Sequence, residues 1–81
     1  METRAAAVAA VIEDRMTAAG LTQTSMSALT GIPPATLNRT LRGHRAVDVD
    51  ELWRIADALG VKVSTITRDA EARLMAEVVG R

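Results

Sequence analysis

The chain has 81 residues, and this length predicts one small domain that spans residues 1–81. Hydrophobic residues make up 48% of the sequence, which is enough for a single thin core, and the chain has one His and no Cys. Disulfide scaffolds and cysteine-ligated zinc sites are therefore excluded, and a metal site or a catalytic nucleophile–base pair would have almost no residues to use. We expect a protein that is not an enzyme and that binds no cofactor, metal ion or small-molecule ligand.

The longest apolar run, residues 5–12, is far shorter than the ~20 residues that span a bilayer. It also lacks the basic start of a secretory signal, because the side chains of residues 1–4 carry no net charge. Glu13 and Asp14 follow the run directly. We therefore expect a cytoplasmic protein with no membrane partner.

The ten basic and ten acidic residues cancel, but they are distributed unevenly along the chain. Residues 15–47 contain four arginines and no acidic residue, whereas the segments on either side are each net negative. Three of these arginines lie between positions 39 and 45, together with His44. Such a cluster is either a solvated basic face or a surface that binds phosphates, and its charge alone does not distinguish the two.

Glycines at positions 20, 31, 43, 60 and 80 each follow a stretch with helical hydrophobic spacing, as expected for glycine just beyond a helix end. The pattern predicts no strand and five helices, over about residues 3–19, 23–30, 34–42, 48–59 and 64–79. Thr3 and Thr22 are the expected N-caps of the first two helices, and Asp48 and Glu51 fit a capping box at the start of the fourth. In the second helix, Met26 and Leu29 are expected to face the core.

The second and third predicted helices are joined by a tight turn that contains Gly31. The third helix begins at Pro34, a residue suited to the first helical position, and it offers Leu37 and Leu41 to the core. The residues between these leucines are polar or arginine and can face outward. A helix that exposes short hydrogen-bonding side chains and Arg, with neither Glu nor Lys, is suited to reading the major groove of DNA.

Four segments, in this order and spacing, resemble the lambda-repressor/Cro-like (XRE-type) helix-turn-helix family. They are LTQ (21–23), LTGI (29–32), TLNRTLRG (36–43) and LWRIADALGV (52–61). The resemblance covers about residues 12–66 without a gap. It implies an all-α fold, a five-helix lambda-repressor-like bundle, in which the helix-turn-helix at about 22–43 binds DNA and the C-terminal helix lies at about 64–79.

The resemblance also assigns roles to individual residues around the recognition helix, 34–42. Arg39 is the first candidate for specificity, because Arg can bond O6 and N7 of guanine together, although a phosphate contact or a surface ion pair are alternatives. Asn38 either reads a base or contacts a phosphate. The base-contacting candidates are Ala35, Thr36, Asn38 and Arg39. The phosphate-contacting candidates are Thr22, Gln23, Thr40, Arg42, His44 and Arg45.

The chain departs from the family pattern at several positions. Pro34 and Ala35 stand where many relatives have Gln or Ser, so the Gln–Gln bridge that links helices two and three in some members is not available. Met16 and Leu41 stand where many relatives have an Arg–Glu pair, and we expect an apolar contact there instead. Trp53 is expected to be a partly buried core residue.

These features favour a sequence-specific repressor of transcription that binds double-stranded DNA, of the phage Cro or immunity-repressor type. One alternative is the antitoxin of a toxin–antitoxin pair, with the last helix as its toxin-binding segment. Another is a helical protein-interaction module that does not bind DNA, an alternative that the zero net charge supports. Salt-dependent DNA binding separates the first and third interpretations.

The expected operator is an inverted repeat. Its two half-sites need two copies of the recognition helix. We therefore expect a homodimer, and the alternative is a monomer that dimerises only on DNA. The last helix is long for so small a bundle, and its apolar end is the candidate dimer interface. The residues assigned to that interface are Leu74, Val78 and Val79.

Overall fold

The computed structural model describes residues 2–79, and in that range the chain forms five α-helices and no strand. The all-α prediction is therefore confirmed. Gly80, which was expected to end the last helix, lies outside the described residues. The helices are α1 (Arg4–Ala19), α2 (Gln23–Thr30), α3 (Pro34–Leu41), α4 (Val49–Leu59) and α5 (Val63–Val79).

The predicted N-caps are confirmed by side-chain hydrogen bonds to otherwise unpaired amides. The Oγ1 atoms of Thr3 and Thr22 accept from the amides three residues further on, at 3.0 and 3.1 Å. At the start of α4, Asp48 Oδ1 accepts from the Glu51 amide at 2.7 Å, and Glu51 Oε1 accepts from the Asp48 amide at 3.0 Å. Each such cap is worth about 1 kcal/mol, so the helix starts are encoded locally.

Two helix boundaries differ slightly from the prediction. Helix α3 ends at Leu41, and Arg42 is its C-cap with φ −85° and ψ −1°. Gly43 follows with φ +74°, a left-handed conformation that glycine adopts most easily. A Cβ atom at Gly43 would lie 3.2 Å from Ala6 Cα, so glycine also lets this loop approach α1 closely. Helix α5 starts at Val63, one residue earlier than predicted.

The core is built from large side chains that are completely buried, one from each helix. Helix α1 packs against α5, α3 and α4, and α2 packs against α3 and α4, so all five helices surround this centre. No helix within residues 2–79 is long and apolar enough to cross a membrane. The central side chains are Ile12, Met26, Leu37, Ile55 and Ile66.

Met16 and Leu41 are both buried in this same core, as expected for positions that are apolar here. Two other expectations about apolar residues are wrong. Leu29 is 60% exposed, because α2 has only two turns and turns Met26 and Thr30 inward instead. Trp53 is 56% exposed, because the side of α4 that faces the core carries Leu52, Ile55 and Ala56.

Candidate nucleic-acid interface

The turn between α2 and α3 is held by side chains of α2. Gly31 has φ +75° and donates its amide to the Ser27 carbonyl at 2.9 Å. Ile32 is buried, and both of its backbone polar groups have partners. Its carbonyl accepts from Ser27 Oγ at 2.6 Å, and its amide donates to Thr30 Oγ1 at 3.2 Å. The direction in which α3 leaves α2 is therefore fixed by short-range contacts.

A side chain of helix α4 also stabilises this turn. Arg54 Nη1 donates to the Thr30 carbonyl at 2.9 Å, and Arg54 Nη2 pairs with Asp50 Oδ2 at 3.0 Å. A guanidinium at the C-terminal end of α2 also interacts favourably with the helix dipole. Sequence reasoning missed this contact. The Asp50–Arg54 spacing of four residues signals an ion pair, but nothing local indicates the bond to Thr30, 24 residues away.

Helix α3 divides into an inner and an outer surface. Its two leucines and Thr40 are buried. Ala35 and Arg39, four residues apart on one side of the helix, are exposed, and Thr36 and Asn38 are partly exposed beside them. The structure therefore brings the four sequence-predicted base-contacting residues together on the accessible surface of one helix.

Arg39 lies exposed on this surface, and its guanidinium has no hydrogen bond or ion pair with any other described residue. The same holds for the side chains of Arg42 and His44, which follow at the end of α3. The surface ion pair considered for Arg39 is thus absent within residues 2–79. Three side chains that can donate hydrogen bonds to an anion or a base edge are left without a protein partner.

Gln23 and Asn38 connect the start of α2 to the outer surface of α3. Asn38 Nδ2 donates to Gln23 Oε1 at 3.1 Å. Pro34 occupies one of the two positions of the Gln–Gln bridge, so the sequence predicted no such bridge. Asn38, one helical turn after Pro34, makes an amide–amide hydrogen bond to Gln23 instead. The bond leaves the Gln23 amide group and the Asn38 carbonyl oxygen available to a ligand.

Thr40 does not fit the role of a phosphate contact that the sequence assigned to it. Its side chain is on the inner surface of α3 and is buried. Its hydroxyl donates to the Thr36 carbonyl at 3.0 Å and accepts from Arg45 Nη1 at 3.1 Å. Arg45 Nη1 also pairs with Glu51 Oε1 at 2.8 Å. Arg45 is therefore partly structural, and its Nε and Nη2 groups have no partner among the described residues.

The Arg45–Glu51 pair joins the loop after α3 to the start of α4. The hydrogen bond from Arg45 lowers the pKa of Glu51, and the bond from the Asp48 amide lowers it further, although burial opposes both. The same hydrogen bond raises the pKa of Arg45. The pKa of Glu51 is lower in the folded protein than its ordinary value of 4.5. Its ionised carboxylate therefore stabilises the fold at pH values above 4.5, and this contribution is lost as the pH falls through the folded-state pKa.

Replacing Glu51 with glutamine is expected to lower the free energy of unfolding by about 1 to 2 kcal/mol near neutral pH, because the charge-assisted bond to Arg45 is weakened. The difference from the parent protein should shrink as the pH falls through the lowered pKa. Urea denaturation across that range measures it, with Glu13→Gln as the control, at a partly exposed position of α1 that has no ion pair among the described residues. A stability difference that does not change with pH would contradict this role for Glu51.

The starts of α2 and α3 add backbone groups to the same surface. Neither helix has an acidic residue in its first turn. Unpaired amides and the positive end of the helix dipole favour anions at such positions. Thr22, which caps α2, and the exposed Gln23 lie at the first of these starts. Groups that can donate hydrogen bonds to an anion thus lie before and after the outer surface of α3.

Comparisons with known proteins agree with this arrangement. A family model described as "Helix-turn-helix" matches residues 12–66. No curated protein gives a significant sequence match. Among solved structures, the chain is similar to that of the clp gene regulator ClgR from Corynebacterium glutamicum, with a TM-score of 0.90 and 19% sequence identity. The similarity covers 96% of this chain and 83% of the other.

Proposed function

The chain belongs to the helix-turn-helix family of DNA-binding transcription regulators, and we propose that it is a sequence-specific repressor that inserts α3 into the major groove. The observation that carries the proposal is the outer surface of α3. Arg39 lies there with no partner among the described residues, and Arg42 and His44 continue the same acid-free stretch. A helix face that is merely solvated more often carries Glu and Lys in alternation, and α3 has neither.

Base recognition is assigned to the outer residues of α3. Arg39 can bond O6 and N7 of guanine through two parallel N–H donors. Thr36 can bond a base or place its methyl group against thymine, and Ala35 is small enough to let the helix approach the bases closely. Asn38 keeps its carbonyl oxygen and one N–H while it is bonded to Gln23, so it can still accept from and donate to adenine.

Phosphate recognition is assigned to the two ends of this surface. Thr22 and Gln23 offer a hydroxyl, an amide group and backbone N–H groups at the start of α2. Arg42, His44 and the unused donors of Arg45 offer positive charge after α3. Two groups of phosphate contacts on either side of a base-reading helix would set its register and orientation on the duplex.

We propose further that the domain, residues 1–81, acts as a homodimer on an inverted repeat, in the manner of a small phage Cro protein or immunity repressor. Residues 2–79 form one five-helix body around one core. Two half-sites one helical turn apart require two copies of α3. The α5 residues Leu74, Val78 and Val79 are the proposed dimer contacts.

The salt dependence of binding tests this function. With about four phosphate contacts per subunit, a dimer makes about eight, and the logarithm of the binding constant should fall with the logarithm of salt concentration at a slope near −7. Arg42→Ala should reduce that slope by about two, because each subunit loses one contact. Arg68→Ala, on the exposed face of α5, is the matched control and should leave it unchanged. A slope near zero would favour the protein-interaction module.

A further inference from the structure

The recognition helix α3 has no side-chain cap at its start. Pro33 occupies the N-cap position and makes no side-chain hydrogen bond, whereas α1, α2 and α4 each begin with a Thr or Asp cap. Proline offers no side-chain acceptor for such a bond. The direction of α3 at its first turn therefore depends on the residues just before it, the turn at 30–33.

Two helices supply the side chains that bond to this turn in the described chain. Ser27 and Thr30 belong to α2. Arg54 belongs to α4, and its Nη1 donates to the Thr30 carbonyl at 2.9 Å. The guanidinium lies close to the backbone of the turn, because a Cβ atom at Gly31 would be 3.7 Å from Arg54 Nη1. Among the described residues, Arg54 is thus the one side chain from outside α2 that bonds to the turn.

The position of Arg54 is itself fixed by hydrogen bonds. Arg54 Nη2 pairs with Asp50 Oδ2 at 3.0 Å, one helical turn earlier on α4. Arg54 Nε is buried and has no hydrogen-bond partner in the described chain. A buried N–H group without an acceptor costs free energy, yet the side chain keeps this geometry. The two bonds made by the Nη atoms therefore outweigh that cost.

Helix α4 does not contact α3 in the described chain, but hydrogen bonds connect it to the residues at both ends of α3. Arg54 bonds to the turn before α3, and Glu51 pairs with Arg45 in the loop after α3 at 2.8 Å. The end of α3 is also fixed by the buried side chain of Leu41. Because the start of α3 is uncapped, a change at Arg54 is expected to alter the angle at which α3 leaves α2.

We propose that Arg54 is a positioning residue for base recognition. By holding the Thr30 carbonyl, it fixes the angle between α2 and α3, so that the start of α2 contacts phosphates while the outer surface of α3 meets base edges. This role rests on the proposed function and deepens it. A bidentate contact with a base requires placement to within about 0.5 Å, whereas a phosphate accepts a side chain from several directions. Loosening the turn therefore weakens operator binding more than non-specific binding.

Arg54→Met tests this role, because methionine keeps an apolar stem without any donor. The ratio of the affinity for the operator to the affinity for a scrambled duplex should fall about tenfold or more. Arg54→Lys should restore part of this ratio, since an ammonium group can still donate to the Thr30 carbonyl. Arg68→Met removes an exposed arginine from α5 and is the matched control, which should keep the ratio of the parent protein. Fluorescence anisotropy measures the affinities, and circular dichroism verifies that each variant is folded.

Salt dependence separates this role from a direct phosphate contact by Arg54. Loss of one phosphate contact per subunit would reduce the slope for a dimer by about two. We expect Arg54→Met to keep the slope of the parent protein while the affinity ratio falls. A reduced slope with an unchanged ratio would overturn the proposal, because Arg54 would then bind the duplex itself.

Hydrogen exchange tests the turn without DNA. The Ile32 amide donates at 3.2 Å to Oγ1 of Thr30, the residue whose carbonyl Arg54 holds. Arg54→Met should speed the exchange of this amide about tenfold or more relative to the amide of Ile12, a completely buried residue of α1. An equal increase at both amides would overturn the proposal, because Arg54 would then only stabilise the whole fold.

The positioning role and the proposed function fail in different ways. A parent protein that prefers no duplex sequence would refute the proposed function, and the positioning role with it. A parent protein that prefers one sequence, with a preference that Arg54→Met keeps, would refute only the role of Arg54.

Discussion

Replacing Arg39 with alanine is expected to remove one base preference from each half-site and to weaken operator binding about thirtyfold or more. A bidentate contact between Arg and guanine contributes about 1 to 3 kcal/mol of discrimination, and a dimer makes two of them. The side chain has no other partner among the described residues, so its removal costs the folded protein little. Fluorescence anisotropy with the operator and with a scrambled duplex measures the specific and the non-specific affinity.

Two variants give this test its controls. Arg39→Lys keeps the charge but loses the planar pair of donors, so it should retain non-specific binding and lose most of the base preference. Arg68→Ala removes an arginine from α5, a helix that does not contact α3. This variant should change neither the specific nor the non-specific affinity. If Arg39→Ala bound the operator and the scrambled duplex with unchanged affinities, Arg39 would lie outside the groove.

Replacing Leu41 with glutamate is expected to leave the domain largely unfolded at 25 °C. Leu41 is buried in the common core at the end of α3, where α3 packs against α1. Removing a buried leucine costs about 2 to 5 kcal/mol, and burying a carboxylate without a partner adds several more. The total approaches the roughly 5 to 10 kcal/mol that stabilise a domain of this size.

The same substitution at Leu29 is the matched control. Leu29 is also on a helix of the DNA-binding pair, but its side chain is exposed, so Leu29→Glu should change the melting temperature only slightly. Thermal unfolding followed by circular dichroism compares the two variants with the parent. An unchanged melting temperature for Leu41→Glu would show that the assigned packing of α3 against α1 is wrong.

The helix starts and the core were predictable because their causes are local. A Thr or Asp accepts from an amide three residues away, and the Asp48–Glu51 capping box needs only four consecutive residues. Apolar spacing likewise identified Leu37 and Leu41 as the inner residues of α3. None of these features depends on where the other helices lie.

The wrong expectation for Leu29 concerns a helix of only eight residues, α2. Leu29 is apolar and Thr30 is polar, yet α2 buries Thr30, because its hydroxyl donates to the Met26 carbonyl and accepts from the Ile32 amide. Two turns give too few positions for hydrophobic spacing to choose the buried side. Here the tertiary contacts of α2 decide the orientation, and the sequence pattern does not contain them.

The candidate site was predictable in part for the same reason. The acid-free stretch and the polar outer residues of α3 identified the surface that carries Arg39. The inward position of Thr40 and the bond between Gln23 and Asn38 depend on how the loop after α3 and the start of α2 are placed. Such contacts connect residues that share no sequence motif, so they became visible only in the folded chain.

Helix α3 is proposed to read a specific DNA sequence as part of a dimer. Selection of bound duplexes from a random pool with the purified protein tests this reading. We expect a palindromic consensus whose two half-sites are about 10 base pairs apart, centre to centre. An unenriched pool, with binding that stays weak even at low salt, would contradict it and would point to α5 as the functional surface of a protein-interaction module.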